Sequence, residues 1–164
     1  MTKLSLSMLV LALAIAWPPP AANAQEIQLQ PFRPQEDLAQ DPEAARAFSS
    51  FSRGWSGRDA DRIAGLIAPD GRASVAIESR GVSSQMSRGQ IEALLSGLFS
   101  DVERSAFDLS TVEFSDESSA YAVGDWTYES RRPSSRQRET VFVVFREAPP
   151  GTWVLSELRI RPAR

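Results

Sequence analysis

The chain has 164 residues, 42% of them hydrophobic, with no cysteine, no histidine and a formal charge of −3. Without cysteine or histidine the usual zinc sites, cysteine nucleophiles and serine–histidine triads are excluded. The mildly acidic balance argues against a general nucleic-acid binder and gives no attraction to an anionic membrane surface.

The N-terminus has the three parts of a secretory signal peptide: Lys3, an apolar run from Leu4 to Trp17, and Ala22-Asn23-Ala24 after a proline-rich break. That run is too short for a transmembrane helix, which needs about 20 apolar residues. Cleavage is expected after Ala24, which sends the protein to the periplasm or the medium, and no cysteine follows to carry a lipid. Removing Lys3 leaves 17 arginines against 21 acids, a charge of −4. Residues 25–40 are polar, proline-interrupted and aperiodic, and are read as a disordered leader. Residues 41–164 are one domain's worth of chain, and their core has to suffice without disulfides.

Within that domain Asp41-Pro42-Glu43 reads as N-cap, first helical position and first-turn acid. Ala44, Phe48, Phe51 and Trp55 then lie on one stripe of a helix, with Gly54 and Gly57 expected to break it. Asp59 is expected to cap a short second helix carrying Ile63, Leu66 and Ile67 on one face, and Pro69 stops it. Asp70-Gly71 turns the chain into a strand over residues 72–78, where Ala73, Val75 and Ile77 alternate with polar or small neighbours. Residues 80–86 read as a loop. Ser87 and Gln90 form a capping box ahead of an amphipathic helix bearing Ile91, Leu94, Leu95, Leu98 and Phe99. Four strands are expected after it, over residues 105–114, 120–131, 137–147 and 153–161, joined by short polar connections that suit antiparallel hairpins. The predicted class is α+β, with three helices gathered on one face of a mainly antiparallel sheet.

The run from Gly57 to Gly71, GRDADRIAGLIAPDG, together with this element order and the closing strand, resembles the nuclear transport factor 2-like superfamily. The resemblance covers about residues 41–162 and implies a cone-shaped α+β roll of cystatin-like type, shared with ketosteroid isomerase and scytalone dehydratase. Carried over by spacing, the isomerase's tyrosine falls on Phe51, its aspartate base on Val75 and its second acid near Val141. All three are apolar, and the histidine-dependent dehydratase pattern has no histidine to use. The chain is most similar to the exported, uncharacterised bacterial branch of the superfamily.

A general base near neutral pH would have to be a carboxylate with a pKa raised by burial. Asp125, mid-strand among aromatic residues, and Glu157, sharing a strand with Trp153 and Leu155, are the two candidates, each with the alternative of a structural ion pair with arginine. Alternation puts Glu157 on the face of Trp153, Leu155 and Arg159, opposite Val154, Ser156, Leu158 and Ile160. Trp126 and Tyr128, with Phe51 and Trp55, are candidate ligand-wall residues or simply packing. Arg131, Arg132, Arg136 and Arg138 crowd one hairpin tip and are candidates for an anion or partner contact, or a solvated basic tip.

The expected function is non-catalytic binding or assembly by an exported, cofactor-free protein. Its expected partners are a second copy of itself, a small apolar ligand or an envelope protein. Two alternatives stand beside this: an isomerase or hydro-lyase with a buried carboxylate base, and an envelope docking module that uses the arginine tip.

Overall fold

A computed structural model describes residues 41–163 apart from Glu117, Arg132, Pro133, Pro149 and Pro150. The proposed signal peptide and leader, and Arg132, lie outside the described residues. Helix α1 spans Pro42–Gly57. Asp41 caps it, accepting from the backbone N–H groups of Glu43 and Ala44 at 3.0 and 2.9 Å. Its second carboxylate oxygen accepts from Trp153 Nε1 at 2.9 Å, so one side chain fixes both the start of the helix and its place on the last strand.

Gly54 does not break α1, contrary to the sequence reading. It lies inside the helix, where a Cβ would come within 2.8 Å of Ile63 Cγ1, and its missing side chain lets helix α2, Ala60–Ala64, cross closely. The break falls at Arg58, a non-glycine residue in the left-handed region with φ 56°. Its guanidinium donates to the carbonyls of Val102 and Glu103 at 2.9 and 3.2 Å, ties that hold an arginine where glycine is usual. Asp59 caps α2 by accepting from the Arg62 N–H at 3.0 Å.

Six strands follow, interrupted once by helix α3: β1 Arg72–Ile77, β2 Val82–Ser87, α3 Arg88–Ser100, β3 Val102–Asp116, β4 Ser119–Arg131, β5 Ser134–Ala148 and β6 Thr152–Pro162. The sheet order is β2-β1-β6-β5-β4-β3, with β1 parallel to β6 and every other pairing antiparallel. The architecture is therefore α+β with a six-stranded mixed sheet. Strand β2 replaces the expected loop: a single 3-10 turn at Glu78–Arg80 and Gly81 at φ 63° return the chain alongside β1. Its sequence, VSSQMS, has no apolar alternation because an edge strand that buries neither face fully has none to show.

One face of the sheet carries the core. Ala120, Ala122 and Trp126 of β4 and Val141, Val143 and Phe145 of β5 are buried against Phe48, Phe51 and Trp55 of α1 and Ile91, Leu95 and Phe99 of α3. A bulge in β6 corrects the predicted faces of that strand. Val144 pairs with Glu157 and Phe145 with Leu155, so Ser156 is the extra residue, its Oγ donating to the Val144 carbonyl at 3.2 Å. The slip returns Leu158 and Ile160 to the buried face of Trp153 and Leu155, and turns Glu157 and Arg159 to the other.

Gly124 marks where β4 accommodates an aromatic ring from its neighbour. A Cβ there would lie 2.6 Å from the Phe107 ring and 2.9 Å from the Asp108 carbonyl oxygen. Gly124→Ala is expected to lower the unfolding free energy by about 1–3 kcal/mol through overpacking. In a urea-unfolding double-mutant cycle, the penalty should shrink in a Phe107→Ala background, because the ring is the main obstacle. An unchanged penalty would place the strain in the backbone instead.

Candidate functional site

The inner face of the sheet is filled along most of its length by aromatic rings. Trp55 stands edge-on to Trp126 and to Phe99, each at 5.4 Å between ring centroids, and Phe51 meets Phe145 and Phe107 edge-on at 6.3 and 6.1 Å. Phe51 and Trp55, singled out from the sequence as ligand-wall candidates, are fully buried in this arrangement. Phe51, Val75 and Val141, on or near which spacing alone places an isomerase's catalytic groups, are likewise buried among apolar neighbours.

Beyond Trp126 the face changes character. Tyr128 stacks on Trp126 at 4.0 Å and 26° and is only half-buried, so the aromatic column ends in a phenol at the rim. Across the register Trp126 faces Glu139 and Tyr128 faces Gln137. Glu139 is 4% exposed and is the one polar side chain buried with the core residues among those described. Its Oε2 atom has no hydrogen-bond partner, and neither does the buried Nε1 of Trp126. Such groups are costly to bury unpaired.

The carboxylate opens onto a hollow of about 270 Å³ lined by Ser79, Arg80, Tyr128, Gln137, Glu139 and Pro162 among others. Burial of Tyr128, reinforced by the negative charge of Glu139 and by the phenol's hydrogen bond to that carboxylate, and opposed by the Arg80 guanidinium, pushes the phenol up to about 12. The phenol therefore stays a neutral donor throughout the ordinary pH range. Arg80 itself is held by Asp101 at 3.1 Å. Chemically the hollow offers a carboxylate acceptor, a neutral phenol donor and aromatic surface.

The other candidates lie elsewhere. Asp125 is on the opposite face of β4, its side chain 44% exposed and paired with Arg138 at 3.2 Å, in a surface depression shared with Thr127 and Arg136. Glu157 pairs with Arg159 next to it on that outer face. Arg131 and Arg136 are exposed near the hairpin end, and Arg138 is held by Asp125. The structure thus brings Trp126 and Tyr128 together, and separates them from Asp125 and Glu157.

Glu139 and Arg80 were missed in the sequence. The signal for Glu139 was present: Glu139, Val141, Val143 and Phe145 alternate, so the acid continues a stripe that is otherwise wholly apolar. Arg80 had no comparable signal, since its place depends on a turn that read as loop. Among the described residues no group of three or more acids could hold a metal ion.

No protein-family model matches the chain, and no curated protein matches it significantly in sequence. Solved structures do match in shape. A ketosteroid isomerase-like protein from Erwinia carotovora atroseptica aligns with a TM-score of 0.62 at 12% identity, over 79% of this chain and 98% of its own. A DUF4783 family protein from Bacteroides uniformis aligns with a TM-score of 0.59 at 12% identity, over 71% of this chain and 96% of its own. A second DUF4783 family protein, from Bacteroides ovatus, gives 0.57 at 10% identity over 71% and 94%. At such identities the likeness speaks for fold, and the chain has the nuclear transport factor 2-like fold.

Proposed function

We propose that this is an exported, non-catalytic protein that binds a small molecule in the hollow in front of Glu139. The observation that carries the reading is a buried acid that lines a hollow and has one carboxylate oxygen without a donor, at the point where aromatic filling stops. A buried acid with one oxygen left without a donor is the kind of group retained for binding. The deeper interior, where ketosteroid isomerase-like proteins would place a site by resemblance, is occupied here by Trp55, Trp126 and Phe51.

Self-association goes with this reading. The outer face of the sheet carries half-buried Val123, Phe142 and Val144, with Tyr121 against Phe142 at 5.5 Å and the Arg159 guanidinium 6.0 Å from the centroid of the same ring. A second copy covering this face is the partner we propose. The arginine tip supports docking to an envelope protein less well, since Arg138 is engaged by Asp125.

An isomerase or hydro-lyase is the second reading, favoured by one observation: a carboxylate and a neutral phenol line the same hollow. In it Glu139, in place of Asp125 or Glu157, takes a proton and Tyr128 donates a hydrogen bond to the oxygen that gains charge.

Native mass spectrometry of gently purified protein is expected to show a dimer with a reproducible, non-covalently bound small mass. That mass should be lost in Glu139→Gln and kept in Asp125→Asn. Retention in Glu139→Gln would move the site elsewhere, and product formation from a bound compound, lost in the same variant, would favour the enzyme.

The two tyrosines of the chain give a second check. Tyr121 is raised above its usual 10 chiefly by its hydrogen bond to Glu113, and Tyr128 to about 12. Absorbance at 295 nm should show both ionising late, with the step near 12 absent in Tyr128→Phe. The folded state keeps the Tyr128 proton to higher pH than an unfolded chain does. Its stabilising contribution is therefore complete below about pH 10 and disappears as pH rises toward 12. Ionisation of both phenols near 10 would remove Tyr128 from the neighbourhood of Glu139.

A further inference from the structure

Resting on the reading of the hollow as the ligand site, we infer that its ligand is a small organic ammonium ion, held by Glu139 and the Tyr128 ring.

Each arginine that lines the hollow is already committed to an acid of its own: Arg80 to Asp101 at 3.1 Å and Arg138 to Asp125 at 3.2 Å. Glu139 forms no ion pair among the described residues; the Tyr128 phenol hydrogen-bonds to its carboxylate, and its Oε2 is left without a donor. Gln137, the nearest amide on the same strand, gives its Nε2 to Ser135 Oγ at 2.8 Å. The missing element at Glu139 is therefore a donor, and a positively charged one meets both the hydrogen bond and the buried charge.

Aromatic surface strengthens the same preference. Tyr128 lines the hollow and stacks at 4.0 Å on the buried Trp126, the cross-strand neighbour of Glu139, so the ring surface at the rim is that of Tyr128. Ring faces attract cations through their quadrupole, and the attraction grows where water is excluded. A neutral alcohol would satisfy the oxygen but leave the charge uncompensated, and a carboxylate would be repelled by it. Size sets the remaining limit. At about 270 Å³ the hollow lies at the lower end of ligand sites, which start near 300 Å³, so the ion is one of few carbons.

The test uses three probes of nearly equal size, butylammonium, 1-butanol and butyrate, titrated into the intact protein while the Trp126 indole N–H resonance is followed by NMR. The inference expects a saturable shift with butylammonium, at least about tenfold tighter than with either other probe. Glu139→Gln should abolish that preference, with near-ultraviolet circular dichroism checking that the variant is folded; the comparison of probes on the unaltered protein holds without the variant. Saturation by 1-butanol or butyrate at equal or lower concentration would overturn the ammonium assignment and leave the hollow as a binding site. No saturable shift with any of the three would overturn the assignment and the site together.

Discussion

The contact on which the structure depends is the edge-on meeting of Trp55 and Trp126, which joins the first helix to the middle of the sheet. Both rings are fully buried, and around them Phe99, Phe107 and Phe51 close the remaining space. Aromatic side chains of this size supply much of the apolar burial available to a chain without disulfides. The helix they hold is set at its other end by Asp41, which caps the helix and accepts from Trp153, so α1 is pinned at its N-terminus and along its stripe. Gly54 and Gly124 allow the close approaches this needs, one to α2 and one to the Phe107 ring.

Filling the interior in this way has a consequence for chemistry. The deep interior holds rings, and the polar groups sit at the rim. Glu139 is the last member of the inner stripe of β5, one step beyond Val141, and Tyr128 the last aromatic of β4. The transition from dry core to open hollow thus occurs within two residues on each strand. That short distance leaves a carboxylate buried enough to lack water on one oxygen yet adjacent to a space a ligand can enter.

Much of the scaffold was legible in the sequence because its signals are local. The Asp41 and Asp59 caps, the Phe48–Phe51–Trp55 stripe and the apolar alternation of β5 each follow from chemistry within a few residues. What could not be read depended on partners distant in the chain. Strand β2 has no pattern of its own and exists through pairing with β1. Arg58 accepts a left-handed backbone because carbonyls 44 and 45 residues away receive its side chain. The bulge at Ser156 reversed the faces of β6, and with them the place of Glu157, through a register set by β5. The site suffered in the same way. Asp125 drew attention as an acid among aromatics, but strand parity puts it outward, while Glu139, in the plainer sequence QRETV, points to the core.

If Glu139 is kept at the expense of the fold, the most direct measurement is the unfolding free energy of Glu139→Met, a variant of similar length with no charge. Removing a buried carboxylate that has no cationic partner and one oxygen without a donor should leave stability unchanged or raise it, by about 1 kcal/mol or more. A loss of 1 kcal/mol or more in denaturant unfolding would contradict the account, because it would make Glu139 a paired structural residue and leave the hollow without its defining group.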